Sequence, residues 1–305
     1  MDASYPTVSE RTTPLSAGGV LAGRYRVGEV IGRGGMAQVH VGYDTRTGRS
    51  VAIKALRSTS ADDPLLRSSL RREAQVLGRV RHHSIVALLD AGHGSDDGDS
   101  SASVGTHSGS YIVMEHVDGR SLRDLLRAGE LTRETSIRCQ FGLLAALEAS
   151  HRAGIVHLDI KPANVMVTAS GAVKLVDFGI ARASGDPTVT VTHIHEFLGT
   201  PAYLSPEQAR GDTTDARSDL YSAGCLLFEM LTGRPPFVGD DPVLVAYQHV
   251  YAPAPHAGTG FPALDAVIAK ALAKDREERF QSAPAFREAL RSADINQPTP
   301  HTHDN

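Results

Sequence analysis

The sequence predicts an α+β fold in two lobes, a small β-rich N-terminal lobe and a larger, mainly helical C-terminal lobe. Three observations point there. Before about residue 116, apolar residues alternate with polar ones in short runs, the period-two signature of half-buried strands. After it, apolar residues recur at helical spacing. Residues 220–231 are apolar nearly all round, which marks a helix buried inside a domain. A chain of 305 residues, 41% hydrophobic, has material for about two domains or lobes with a substantial core. The lobes are expected over about residues 21–116 and 117–295, flanked by a disordered segment at 1–20 and a flexible tail at 296–305.

Composition excludes several function classes. With 31 Lys and Arg against 35 Asp and Glu, the formal net charge is -4, which gives no electrostatic footprint for nucleic acid. Two cysteines, Cys139 and Cys225, cannot build a disulfide framework and suit a reducing, cytoplasmic location. No apolar run reaches the roughly 18 residues of a membrane span, and the N-terminus lacks a signal-peptide apolar region. A membrane anchor, if the natural protein has one, is expected beyond Asn305.

Along the chain, residues 24–31 read as a strand, Gly32-Arg33-Gly34-Gly35 as a turn, and residues around Val39, Val41 and Tyr43 as a second strand. Residues 50–56 read as a third. Asp62 or Asp63 can cap a helix with Pro64 in its first turn, carrying Leu66, Leu70, Ala74 and Leu77 at helical spacing. Two more strands are expected near 85–89 and 111–115, around a Ser/Gly/Asp-rich insertion at 93–110. Past Asp118-Gly119 the pattern turns helical. Thr132 caps a long helix with Ile137, Phe141, Leu144 and Leu147 on one face, and Gly154 ends it. Between two such lobes, a crevice is a usual ligand site.

Chemistry concentrates in His157-Leu158-Asp159-Ile160-Lys161-Pro162-Ala163-Asn164. A base candidate, a lysine and an amide lie within a few residues, followed by the apolar triplet Val165-Met166-Val167. Residues 173–176 form another apolar run that ends at Asp177-Phe178-Gly179. Two strands would therefore deliver Asp159, Asn164 and Asp177 to one place. An acid, an amide and an acid suit Mg²⁺, a hard cation that takes oxygen ligands and keeps phosphate as a partner. The alternative is a solvated loop with a turn at Asp-Phe-Gly. Either tripeptide alone favours it; the two together, in order, reverse that.

Gly32, Gly34 and Ala37 fit G-x-G-x-x-G/A. A dinucleotide-binding fold needs a helix to start there, whereas Val39-His40-Val41-Gly42-Tyr43 reads as a strand. Glycines between two strands let backbone N–H groups approach phosphate oxygens; the plain alternative is a hairpin turn. Lys54 follows on an apolar strand, where a lone ammonium is costly unless paired. Glu73, on the next helix, is its candidate partner; otherwise Glu73 lies on a solvated helix face.

These stretches resemble the bacterial Ser/Thr protein kinases of the eukaryotic-like type, and most closely the catalytic domains of actinobacterial receptor kinases. The resemblance runs through residues 31–39, Val51-Ala52-Ile53-Lys54, Arg72-Glu73-Ala74, the run from His157 to Asn164 and Asp177-Phe178-Gly179. It continues through Gly199-Thr200-Pro201, Ser205-Pro206-Glu207 and Arg217-Ser218-Asp219, covering about residues 22–292. It implies a two-lobed protein-kinase fold and transfer of the ATP γ-phosphate to Ser/Thr hydroxyls of protein substrates, including the chain's own activation loop. ATP and Mg²⁺ are the implied cofactors, with Mn²⁺ as an alternative metal.

Residue by residue, the resemblance makes Asp159 and Lys161 catalytic. Asp159 would take or orient the acceptor hydroxyl proton, and Lys161 would neutralise the γ-phosphate. Asn164 and Asp177 would hold the metal. Lys54, paired with Glu73, would meet the α- and β-phosphates under the glycine loop, Ile31, Gly32, Arg33, Gly34, Gly35, Met36, Ala37, Gln38 and Val39. Ala52, Met114, Glu115 and Val117 would complete the nucleotide site, Met114 as gatekeeper and residues 115–117 as the hinge. Glu207 would pair with Arg279, and Asp219 would support the catalytic loop.

Thr190 and Thr192 would be regulatory phosphosites, reached within a homodimer or in the same chain. The family's usual Arg before the catalytic Asp is Leu158 here, which leaves Arg71, Arg72 and Arg182 as candidate partners for a loop phosphate. Two other classes make different predictions. A small-molecule phosphotransferase normally lacks the Ser-Pro-Glu segment, and a pseudokinase or nucleotide-binding scaffold predicts loss of Lys54, Asp159, Asn164 or Asp177. His193 and His195, without further ligands, read as solvated rather than as a metal site.

Overall fold

The computed structural model describes residues 15, 17–34, 37–57, 63–92, 110–178, 182–183 and 201–295. The insertion at 93–109, the loop glycine Gly35 with Met36, and Asp62 lie outside them. So do Gly179, Thr190, Thr192, His193, His195, Gly199 and Thr200. The chain divides into two compact units, one drawn from Met1–Gly78 and Ala87–His116, the other from Arg79–Val86 and Val117–Asn305.

Among the described residues, the first unit is a six-stranded antiparallel sheet with one helix. Its strands are β1 (Val20–Leu21), β2 (Tyr25–Arg33), β3 (Ala37–Asp44), β4 (Arg49–Leu56), β5 (Leu88–Gly92) and β6 (Tyr111–Glu115), in the order β1-β2-β3-β4-β6-β5. Alternation explains its two faces, because successive side chains in a strand point to opposite sides. Val51, Ile53 and Ala55 of β4 join Leu21, Tyr25, Val27 and Val113 in one apolar cluster. Ala52 and Lys54 therefore take the other face. The turn expected at residues 32–35 is shorter: β2 continues to Arg33, with Gly32 paired to Val39 and Arg33 to Gln38.

Helix α1 (Pro64–Arg79) follows β4. Asp63, of the two cap candidates, accepts the Leu65 N–H at 2.8 Å, and Pro64 occupies the first helical position, where a missing N–H costs nothing. The strand expected at 85–89 forms instead at Leu88–Gly92. Ile85 belongs to the second unit, where it makes an isolated bridge to Leu175. The reason is local: residues 79–86 place the Ser84 and Val86 backbone against Leu175, so the expected unbroken N-terminal lobe is interrupted there.

In the second unit a short strand, β7 (Gly119–Ser121), precedes the helices, a departure from the helical pattern expected directly after Gly119. Its cause is pairing with β9 (Val165–Thr168), which also pairs with β10 (Val173–Leu175). Another short strand, β8 (Ile155–Val156), pairs with β11 (Arg182–Ala183). Helix α2 (Leu122–Ala128) is capped by Ser121, and α3 (Arg133–Arg152) by Thr132, which accepts the Thr135 N–H. Phe141 is only half-buried, whereas Ile137, Leu144 and Leu147 are buried as their spacing predicts.

Helices α4 (Pro206–Arg210), α5 (Ala216–Thr232), α6 (Pro242–Tyr251), α7 (Pro262–Ala271) and α8 (Ala283–Ile295) complete the unit. Helix α5 is buried from Ser218 to Phe228, which its composition requires. Gly224 allows α5 to approach α7, since a Cβ there would sit 2.7 Å from the Ala271 Cβ.

Burying polar groups in this helical core is costly unless they are paired. Arg279 is fully buried, and its guanidinium donates to both carboxylate oxygens of Glu207 at 2.8 and 2.9 Å. It also donates to the Ala273 and Lys274 carbonyls. Burial pushes the Glu207 carboxyl up, but the Arg279 hydrogen bonds and charge, with a bond from Ser218, hold it below its ordinary value. This contribution is present above the carboxyl's unfolded pKa and is lost as pH falls through the folded one. Removing one partner leaves a buried charge alone, at a cost of about 3–5 kcal/mol. Arg279→Ala is therefore expected to destabilise the protein by about that much in equilibrium denaturation at neutral pH. A loss below about 1 kcal/mol would show that the pair is not what locks α4 to the core.

Candidate active site

The candidate residues fall in two groups, one in each unit. In the first, residues opposite one another in the sheet project to the same side. Val39 opposes Lys54, Ala52 opposes Met114, and Gly32 opposes Val39. The register thus places Gly32, Val39, Ala52, Lys54 and Met114 on one face. Ile31, at an irregularity between Val30 and Gly32, is exposed, as are Arg33 and Gly34. Gly34 donates to the Ala37 carbonyl at 2.9 Å, which closes the tip of the strand pair. Ala37 and Gln38 are half-buried. Met114 is buried, and the neighbouring Glu115 pairs through its N–H with the Ala87 carbonyl.

Lys54 Nζ lies 2.8 and 2.7 Å from the two carboxylate oxygens of Glu73. Glu73 is 2% exposed, so it does not lie on a solvated helix face. It reaches the sheet because Leu70, Glu73, Val76 and Leu77 share the buried stripe of α1. The pair holds an ammonium, extended from an apolar strand, in a fixed position. Arg71 and Arg72, on the other side of that helix, are exposed.

In the second unit the loop after β8 carries the chemistry. Asp159 Oδ2 is 2.7 Å from Lys161 Nζ and 2.9 Å from Asn164 Nδ2. Asn164 Nδ2 also donates to the Asp159 carbonyl at 2.9 Å. Among the described residues both side-chain contacts fall on Oδ2, which leaves Oδ1 able to accept a proton from another molecule. Val176 donates its N–H to the Asn164 carbonyl, so Asp177 follows directly beside Asn164.

Phe178 is buried and meets His157 edge to face, with ring centroids 4.5 Å apart. Asp159 donates its N–H to His157 Nδ1, which fixes the neutral ring with its proton on Nε2. Burial pushes the His157 imidazole below its ordinary value, against the charges of Asp219, Asp159 and Asp177.

The loop backbone is anchored from α5. Asp219, fully buried, accepts the Leu158 N–H through Oδ1 at 2.7 Å and the His157 N–H through Oδ2 at 2.8 Å. His151 Nε2 lies 2.8 Å from the same Oδ2. Leu158 and Asp177 both have left-handed backbone, at φ 64 and 62. A residue with a Cβ adopts that conformation at a cost of about 1–2 kcal/mol, so surrounding bonds must hold it. Among the described residues, the sequence did not reveal His151 or Gln208, which donates to the Leu158 carbonyl at 2.9 Å. Gln208 carried a legible signal, the capping-box spacing Ser205-x-x-Gln208; His151 carried none.

The donor set fits a hard cation. Asn164 Nδ2 is committed to Asp159, so the Asn164 amide oxygen and the Asp177 carboxylate are the oxygen ligands this stretch could offer a cation. Among the described residues no cluster of three or more His, Cys, Asp or Glu could hold a metal. A cation at Asn164 and Asp177 therefore needs further oxygens, which is the habit of Mg²⁺ with phosphates.

The Lys54–Glu73 pair gives a direct test. Lys54→Met is expected to destabilise the protein by about 1–3 kcal/mol, because it removes the bidentate ammonium from a buried carboxylate. Lys54→Met combined with Glu73→Gln should recover part of that loss in a double-mutant cycle. Strict additivity of the two changes in denaturant melts would count against a coupled pair.

A family model described as the protein kinase domain matches residues 25–290. Among curated relatives, a probable serine/threonine-protein kinase of Streptomyces coelicolor is 52% identical over 91% of this chain and 41% of its own length. The serine/threonine-protein kinase PknB of Mycobacterium tuberculosis is 48% identical over 88% of this chain and 43% of its own. The chain thus spans about two fifths of the length of these relatives. A double mutant of the M. tuberculosis PknI kinase domain superposes with a TM-score of 0.69 at 25% identity, covering 92% of this chain and 99% of that one. Family members use ATP with a divalent metal. With the match running through nearly all the described residues, the chain belongs to the protein kinase family.

Proposed function

We propose that the chain transfers the γ-phosphoryl group of ATP to Ser and Thr hydroxyls of protein substrates. The observation that carries this reading is the Asp159 carboxylate, held through Oδ2 by Lys161 and Asn164 on a backbone clamped by Asp219. In the transfer, the acceptor hydroxyl gives its proton to Asp159 as its oxygen bonds to the γ-phosphorus. The bond between that phosphorus and the ADP oxygen breaks, ADP leaves, and Asp159 returns the proton to solvent. Lys161 neutralises γ-phosphate charge. Such catalysis needs positioning and electrostatics more than covalent chemistry.

Asn164 and Asp177 would hold the divalent metal, Mg²⁺ with Mn²⁺ as the alternative, which neutralises phosphate charge when bound. Lys54, oriented by Glu73, meets the α- and β-phosphates. Ile31, Gly32, Arg33, Gly34, Gly35, Met36, Ala37, Gln38 and Val39 cover the nucleotide. Ala52, Met114, Glu115 and Val117 serve the adenine end. Lys54, Asp159, Asn164 and Asp177 are all retained, which supports an enzyme over a scaffold. The names of the curated relatives, with Lys161-Pro162 after the base, support Ser/Thr over Tyr acceptors. A cytoplasmic location fits ATP use and the two buried thiols, Cys139 and Cys225.

Thr190 and Thr192 are the proposed phosphosites, modified within the chain or across a homodimer. Leu158 is 9% exposed and apolar, so the position before the base offers a loop phosphate neither charge nor hydrogen bond. Phosphorylation there should accordingly occur yet raise activity only weakly. Incubation with ATP·Mg²⁺ followed by phosphosite mapping tests the reading. Wild type should carry phosphate on Ser or Thr, Thr190 and Thr192 among them. Asp159→Asn should lose transfer by about a hundredfold or more while binding ATP·Mg²⁺ as wild type does. Near-native transfer by Asp159→Asn would contradict the assignment of the base.

A further inference from the structure

Gln208 uses both ends of its side-chain amide. Oε1 accepts the Ser205 backbone N–H at 3.1 Å and the Ser205 hydroxyl at 3.0 Å, while Nε2 donates to the Leu158 carbonyl at 2.9 Å. The amide orientation is fixed by chemistry, because a peptide N–H only donates and a carbonyl only accepts. We infer that Gln208 is a positioning residue for the base: it ties the N-terminus of α4 to the peptide group that precedes Asp159. The inference rests on the kinase reading for its consequence in activity, but not for the clamp itself.

The peptide groups around the base show why this bond matters. Leu158 N–H is held by Asp219, Asp159 N–H by His157 Nδ1 at 3.2 Å, and Asp159 C=O by Asn164. The Leu158 carbonyl is held by Gln208. The Leu158–Asp159 peptide therefore has two anchors, and the shorter is Gln208. Leu158 sits in left-handed backbone, from which it relaxes unless both flanking peptides are fixed. Its own side chain cannot help, being apolar and buried. Loss of the Gln208 donor frees that peptide to rotate and carries the Asp159 carboxylate with it. The same amide caps α4, so the position of Ser205-Pro206-Glu207 is reported directly to the base.

Two variants of the full chain separate the clamp from the cap. Gln208→Glu keeps an acceptor for Ser205, since Glu serves a capping box as well as Gln does, but sets an acceptor against the Leu158 carbonyl. Gln208→Ala removes both. Hydrogen exchange read by mass spectrometry should show faster exchange across residues 156–161 in both variants. Exchange across 205–211 should rise only in Gln208→Ala. In steady-state kinetics, Gln208→Glu should lower kcat about tenfold, with KM for ATP and the melting midpoint unchanged. Native exchange across 156–161 in Gln208→Glu would overturn the clamp. Native kcat despite faster exchange, or a loss seen only in KM for ATP or in melting, would overturn the positioning role. A wild type that transfers no phosphate would instead refute the kinase reading, while the exchange result would still judge the clamp.

Discussion

One buried carboxylate organises the second unit. Asp219 lies in the first turn of α5, where the helix dipole favours negative charge, and it is fully buried. Among the described residues it has no Lys or Arg partner; three N–H donors surround it, from His157, Leu158 and His151. Charge-assisted bonds of this kind are stronger than neutral ones, and a buried charge is costly without them. The loop therefore has one low-energy arrangement relative to α5. That arrangement sets Leu158 in left-handed backbone, turns Asp159 toward Lys161 and Asn164, and leaves His157 to close the loop with Phe178. Helix α5 can serve as the anchor because its burial on nearly every side removes any freedom to shift.

The first unit solves a different problem, that of holding a cation in an apolar strand. Lys54 shares a sheet face with Ala52, Val39 and Met114, and the carboxylate brought by α1 helps make its charge tolerable there. The pairing is bidentate, so the lysine's long side chain is held in one position. Preorganisation of this sort is what an electrostatic catalyst needs, since charges already in place require no reorganisation during the reaction.

Much of this was legible in the sequence, and the failures have physical causes. The Thr132 cap, the all-round apolar α5, the Lys54–Glu73 pair and the contribution of Asp219 could be read from local chemistry or from the order of motifs. Strand ends depart from the sequence pattern where pairing rather than composition decides them. Glycine at 32 suggested a turn, yet its backbone is still paired with Val39. Ile85 looked like a strand residue of the first unit, yet its bridge is to Leu175, 90 positions along the chain. β7 exists only because β9 offers it a partner. His151 has no signal in the sequence because its importance lies in reaching the distant Asp219 carboxylate, and the capping-box spacing of Gln208 shows its bond to Ser205 but not the one to the Leu158 carbonyl.

Asp219 is the origin of the geometry at Asp159, so the isosteric change Asp219→Asn tests that dependence most directly. The change keeps shape but removes the charge and sets an amide N–H against backbone donors. The measurement is single-turnover phosphoryl transfer on the folded fraction, with ATP·Mg²⁺ affinity measured on the same sample. The transfer rate should fall by about a hundredfold or more, with nucleotide affinity unchanged within about threefold. A variant that transfers phosphate at the wild-type rate would contradict it, because the loop would then hold its catalytic form without the carboxylate said to impose it.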